Sequence, residues 1–352
     1  MDSRADFRSI QQYLPVTLHA SDVIWPPTVV ESLKSLSKGP SHSNVSSGEL
    51  FAAAIVDLRK LLGLDPLHPA APLGFSLFFN DLMNKDDALK WFGEVVPQLA
   101  NLLLRLPALL EAQYKNADAL SGTETGLRVL EVQNPGIVIL SQELIAALLA
   151  CGLFCLFPAA KRGGKKPQPI NFDKLFVILY QRKKENQENK IKCLVHYFER
   201  VCKNMPRGNV SFERKVLPLR NSTADYWSKS AMPLCKFEVH TYGKIEDQST
   251  EVLEVDFADK HIGGLILKQG CVQEEIRFAI NPELIASILF LPVMADNEAI
   301  EIVGPERSME SKQQHKLVSS VSFSFKKLHL IARRIAVFLL ATLLKVFCHC
   351  RV

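Results

Sequence analysis

The chain reads as an α+β protein in two parts, a helical N-terminal segment followed by an α/β one. Three observations predict this. From about Ser47 to Cys155 the apolar residues recur at helical spacing. Near Val210 the pattern changes to the alternation of strands. Beyond Val252, signals for strand, loop, helix and strand follow within about 50 residues, the succession of an α/β unit.

Each element has its own signal. Leu50, Ala54, Leu58 and Leu61 mark one helical face, Leu82 to Val95 a second, and Leu99, Leu102, Leu103, Leu106, Leu109 and Leu110 a third. Ser141-Gln-Glu-Leu begins another helix, with Ser141 as N-cap and an apolar face reaching Cys155. Clusters at Pro66–Pro72, Ser121–Gly126 and Asn134–Gly136 separate these elements. Lys161–Pro169 reads as a basic Gly/Pro loop, either solvated or a localisation signal. A helix pair is expected at Phe172–Gln181 and Lys190–Lys203. Strands are expected at Ser211-Phe-Glu-Arg-Lys-Val, Lys236-Phe-Glu-Val-His-Thr-Tyr and Val252-Leu-Glu-Val-Asp-Phe, then a helix at Asn281–Leu291 and a strand at Ala299–Val303. The expected division is 1–208, 209–307 and an atypical tail, 308–352.

Charge supports that division. The 42 Lys+Arg and 37 Asp+Glu give a formal net charge of +5. After Glu310 no acidic residue occurs, while Lys312, Lys316, Lys326, Lys327, Arg333, Arg334, Lys345 and Arg351 supply eight positive charges. Residues 1–310 therefore hold 42 − 8 = 34 basic and 37 acidic groups, or −3. A body of that sign lacks the basic density of a protein that binds nucleic acid through phosphates. The N-terminus MDSRADFRSIQQYLP has no apolar core of a signal peptide, and eight scattered cysteines read as reduced intracellular thiols. Cys151 and Cys155, one helical turn apart, are expected to pack as small hydrophobes, His196 to pack on its helix, and Trp25 to anchor the N-terminal segment.

Chemistry concentrates in Val255–Asn281, VDFADKHIGGLILKQGCVQEEIRFAIN. Asp256 ends a predicted strand, where α/β folds place ligands. Gly263-Gly264 lets backbone approach a ligand closely, and exposed N–H groups there can hold a diphosphate. Gln273-Glu274-Glu275 sets an amide beside two carboxylates. Crowded carboxylates raise one another's pKa, so one can stay protonated near neutral pH while another is ionised. That is the requirement for cleaving a glycosidic bond, whose leaving oxygen needs a proton and whose carbon becomes oxocarbenium-like. On spacing alone, Gly-Gly is also an ordinary turn and Glu-Glu an ordinary first helical turn.

The wider pattern resembles the poly(ADP-ribose) glycohydrolase family. Gly263-Gly264, Gln273-Glu274-Glu275-Ile-Arg-Phe and Ile280-Asn-Pro-Glu-Leu-Ile look like its signature. Val255-Asp-Phe-Ala, Gly243-Lys-Ile-Glu-Asp and Asn297-Glu-Ala-Ile-Glu-Ile-Val-Gly are similar too, as are Ser141-Gln-Glu-Leu, His196-Tyr-Phe-Glu-Arg and Ser211-Phe-Glu-Arg-Lys. Trp25-Pro-Pro and Gly39-Pro-Ser-His-Ser are similar to plant members. The resemblance implies a helical accessory domain joined to an incomplete macrodomain-like α/β domain. It implies Glu275 as acid/base, and Glu274 and Asp256 as holders of ribose hydroxyls. Gln273 would contact the terminal unit and Ile245 and Glu246 the adenine end, while the Gly263-Gly264 backbone meets the diphosphate. The implied partners are poly(ADP-ribose) and proteins carrying it, without metal, redox cofactor or membrane span. The implied state is a monomer in nucleus and cytoplasm.

The chain departs from that family in three places. Leu265 stands where the family has a third glycine, an exchange expected to cost about 1 kcal/mol if φ is positive there. Asp259, at a substrate-binding position, replaces an asparagine and is expected to repel the diphosphate. The resemblance stops after Gly304-Pro-Glu-Arg307. Leu328–Phe347 is apolar but is interrupted by Arg333 and Arg334, too short a run to span a membrane. Cys348-His349-Cys350 lacks a fourth zinc partner. The tail reads as the product of a retained intron or altered frame. A sheet without its later strands would expose edges and apolar surface, so the alternative expectation is an impaired chain that at most binds ADP-ribose.

Overall fold

The computed structural model describes residues 1, 4–119, 124–159, 166–218, 224–229, 231, 233 and 254–308. Helix α1 (Ala5–Gln11) leads into a small hairpin, β1 (Thr17–His19) and β2 (Asp22–Ile24). Then come α2 (Pro27–Ser37), α3 (Pro40–Ser43), α4 (Gly48–Leu61) and α5 (Ala71–Ser76). Both α2 and α3 start on proline, whose missing N–H is one that a first turn leaves unpaired anyway. Ser47 caps α4, accepting the Leu50 N–H at 3.2 Å. After π-helical Leu77–Leu82 follow α6 (Lys85–Lys90), π-helical Trp91–Val95 and the long α7 (Val96–Ala119).

Helix α7 forms the spine of the helical part. Lys85–Ala119 is the one described helix long and apolar enough to cross a membrane, yet half of its apolar window is buried inside the protein. Leu99, Leu103, Leu106 and Leu110 are fully buried. Pro107 lies inside α7 and leaves the Leu103 carbonyl without its helical donor. The Trp25 indole N–H, 2.7 Å away, donates to that carbonyl instead. The anchoring role expected of Trp25 is a specific repair of this helix.

Strand β3 (Gly136–Ser141) runs directly into α8 (Gln142–Leu153), which Ser141 caps by accepting the Leu144 N–H at 3.2 Å, as its sequence predicts. Helix α8 is apolar and buried from Leu144 to its end. Cys151 and Cys155 are fully buried within it and just after it. Helices α9 (Asp173–Arg182) and α10 (Glu185–Lys203) follow. Gly74 of α5 lies against the Phe176 backbone of α9, where a Cβ would stand 2.1 Å from the carbonyl oxygen. Phe75 stacks on Phe176 at 3.8 Å, and Phe51 meets Phe154 edge-on at 5.1 Å. Such pairs add roughly 0.5–1.5 kcal/mol beyond burial.

Strand β4 (Asn209–Val216) is the centre of an antiparallel sheet ordered β3-β4-β5, with β5 at Glu298–Val303. Phe212 pairs with Val138 on one side and Ile302 on the other. Val210, Phe212 and Arg214 face inward, and Arg214 is paired with Glu298, both side chains fully buried. The sheet thus takes one strand from before residue 208 and two from after it. A short helix α11 (Ala224–Ser228), then α12 (Gln273–Ile280) and a 3₁₀ helix (Pro282–Leu289) complete the described elements. The expected helix at Asn281–Leu291 is this 3₁₀ turn. The strand expected at 252–257 does not form among described residues 254–257: the Phe257 N–H bonds the Gln273 side chain at 3.1 Å rather than a neighbouring strand. The strand expected at 236–242 and the tail after Ser308 lie outside the described residues.

Candidate active site

Helix α12 starts where it does because its first turn is capped by its own carboxylate. Val272 is extended, and its N–H donates to Glu275 Oε2 at 2.8 Å. This is half of a capping box; valine has no oxygen to complete the other half. The other Glu275 oxygen accepts the Leu265 N–H at 2.9 Å. Glu274 is held in the same manner, Oε1 by the Gly263 N–H at 2.7 Å and Oε2 by the Asp259 N–H at 2.9 Å. Both carboxylates are buried, at 3% and 4% exposure. Four backbone N–H groups from one loop therefore aim two adjacent side chains.

The glycines make that approach possible. Gly263 and Gly264 adopt φ of 82° and 50°, in the left-handed region. A Cβ on Gly264 would stand 2.7 Å from Glu275 Oε1 and 2.8 Å from Glu274 Oε2. Gly270, which sequence reasoning passed over, has the same function from the other side: its Cβ would stand 2.6 Å from Glu275 Oε1. A third glycine following the pair at short spacing was the signal for it. Leu265 avoids the strain expected of it, because its φ stays outside the left-handed region and its side chain points outward, 45% exposed.

Asp256 and Gln273 face the same loop. Gln273 braces the incoming chain, accepting the Phe257 N–H and donating to the Val255 carbonyl at 3.3 Å. Asp256 is partly buried, and its Oδ1 is a buried acceptor without a hydrogen-bond donor. Burial, and then the charge of Glu275, pushes its carboxyl up to about 6. Burial pushes Glu274 further, to about 8, against the lowering effect of its backbone donors. The pair thus places a proton-holding carboxyl beside a second carboxylate near neutral pH. Asp259 is exposed and turned to His261, accepting its N–H at 2.8 Å. Ile245 and Glu246 lie outside the described residues. Among the described residues no cluster of three His, Cys, Asp or Glu is arranged to hold a metal.

One contributor comes from the helical segment. Lys190 of α10, 4% exposed, extends its ammonium to the carbonyls of the glycine loop. It donates to the Ile266 carbonyl at 3.1 Å, the Gly270 carbonyl at 2.9 Å and the Lys268 carbonyl. Burial lowers its pKa to about 8, opposed by the charges of Cys271 and Glu275. The sequence signal was a lysine on the apolar face of α10, one turn from Leu194.

Two family models match the chain. "Poly (ADP-ribose) glycohydrolase (PARG), helical domain" covers residues 83–214, and "Poly (ADP-ribose) glycohydrolase (PARG), Macro domain fold" covers 224–328, a span that continues past Arg307. Poly(ADP-ribose) glycohydrolase 1 of Arabidopsis thaliana is 55% identical over 308 residues, 87% of this chain and 56% of the relative. Probable poly(ADP-ribose) glycohydrolase 2 of the same plant is 55% identical over 317 residues, 87% of this chain and 61% of the relative. Poly(ADP-ribose) glycohydrolase 2 of Caenorhabditis elegans is 37% identical over 130 residues, 37% of this chain and 26% of the relative. The chain thus spans somewhat more than half the length of the two plant relatives. With helical-domain and macro-domain matches in succession and this identity to two plant proteins, the chain belongs to the poly(ADP-ribose) glycohydrolase family.

Proposed function

We propose that this chain hydrolyses the ribose–ribose glycosidic bonds of poly(ADP-ribose), releasing ADP-ribose. One observation carries the reading: two adjacent buried carboxylates, each oriented by two backbone N–H groups of a glycine loop, beside a third carboxylate with an unmet acceptor. Glu275 donates a proton to the departing ribose oxygen as the bond to the anomeric carbon breaks. The same carboxylate then takes a proton from the water that attacks that carbon, so acid and base are restored. Asp256 Oδ1 suits a ribose hydroxyl, which would satisfy it. The diphosphate contact proposed for Gly263 and Gly264 would fall to loop backbone that does not already face Glu274, Glu275, Phe278 and Ile288.

The raised pKa of Glu274 favours a second assignment, in which Glu274 is the proton donor and Glu275 orients the sugar. Release of ADP-ribose from purified polymer, measured for the wild type, Glu275→Gln and Glu274→Gln, separates the two. A general acid contributes on the order of 10²–10⁴-fold, so the variant losing that much kcat identifies it. Calorimetry with ADP-ribose runs beside the assay. Binding without turnover in the wild type would replace the hydrolase reading with a binding one.

A further inference from the structure

We propose that Lys190 is a positioning residue for the carboxylate pair, supplied by the helical segment to the loop that the other segment contributes. Its ammonium has three hydrogens, and three loop carbonyls converge on it, at Ile266, Lys268 and Gly270. No donor is left over in a site almost closed to water.

The loop transmits this grip to the carboxylates. Consecutive turns tie Gly264 N–H to the His261 carbonyl at 2.9 Å, Ile266 N–H to Gly263 at 2.9 Å and Lys268 N–H to Leu265 at 2.8 Å. Gly263 and Leu265, inside these turns, are the residues whose N–H groups hold Glu274 and Glu275. Carbonyls of the loop thus meet Lys190, while N–H groups of the same loop meet the acids. Removing the ammonium leaves three carbonyls to find other donors, and the loop cannot turn toward them without withdrawing the N–H groups from the carboxylates. Lys190 falls within the helical-domain match and the loop within the macro-domain match. The helical segment therefore does more than pack: it sets the geometry of the acids. The catalytic consequence rests on the hydrolase reading above, whereas the loop geometry does not.

The test uses the full chain with Lys190→Met, which keeps the length and removes the donors. Hydrogen exchange is followed by mass spectrometry for peptides of the loop and of α7, together with kcat and KM on the polymer. Loop amides are expected to exchange at least about tenfold faster while α7 is unchanged. The kcat is expected to fall roughly 10²-fold with KM within about twofold, the pattern of misplaced groups rather than lost binding. Unchanged loop exchange overturns the proposal, as does a rise in KM alone. If Lys190→Met does not fold, Lys190→Arg is read in the same way, since a planar guanidinium cannot meet three converging carbonyls. If the wild type releases no ADP-ribose, the hydrolase reading fails and loop exchange alone decides the role of Lys190.

Discussion

The Trp25 indole N–H donates to the Leu103 carbonyl, 78 residues along the chain and 2.7 Å away in space. Pro107 is what frees that carbonyl. Trp25→Phe should therefore lower stability by about 1–2 kcal/mol in urea unfolding, because a buried acceptor is left unmet. In a Pro107→Ala background the helix can supply its own N–H to Leu103. There the same substitution should cost about 1 kcal/mol less; equal losses in both backgrounds would mean that the hydrogen bond contributes nothing.

On the proposed hydrolysis, Gly264→Ala and Gly270→Ala should each abolish most activity while leaving the fold in place. An alanine Cβ at either position meets a carboxylate oxygen at 2.6–2.8 Å, and Gly264 also has φ of 50°. Polymer hydrolysis should drop on the order of 10²-fold, with a stability loss of about 1–2 kcal/mol. Gly93→Ala is the control, since its Cβ would meet nothing within 4 Å. Activity retained in both loop variants would contradict the close-approach role of these glycines.

The raised carboxyls make stability depend on pH with a definite sign. Glu274 moves from an ordinary 4.5 up to about 8, and Asp256 from 3.8 up to about 6. Between those values the folded chain holds protons that the unfolded chain has released. Stability from these groups is therefore full at the acid end and declines as pH rises from about 3.8 to 8. Urea unfolding at a series of pH values should show a shallower decline for Glu274→Gln than for the wild type. Parallel curves would count against the shift.

Arg214 and Glu298 form a fully buried ion pair within the sheet. Glu298 also accepts the Ala295 N–H at 2.7 Å, and Arg214 donates to the Pro292 carbonyl at 2.8 Å. Arg214→Met should destabilise by roughly 3–5 kcal/mol, because it strands a buried carboxylate. Adding Glu298→Gln removes that charge and should recover part of the loss. Chemical denaturation of both variants checks the order.

Much of the site was legible in the residue order because its chemistry is local. Glu274, Glu275, Gln273, Gly263 and Gly264 sit within a dozen positions of one another, close enough for a first-turn carboxylate to cap its own helix. The Ser141 cap, the apolar α8 and the alternation of β4 obey rules acting over a few residues, and they form where those rules place them.

What residue order could not show are partners separated by long stretches of chain. Lys190 meets carbonyls 76 to 80 positions away, Trp25 repairs a helix 78 positions away, and Arg214 finds Glu298 84 positions away. Local spacing carries no information about such pairs, since closure of the fold alone decides which buried donors and acceptors meet. The sequence by itself determined which carboxylates and glycines crowd into one loop and where most of the described helices run. The tertiary structure decided what holds those groups in place, because a buried polar atom, once water is excluded, takes its partner from wherever the fold brings one.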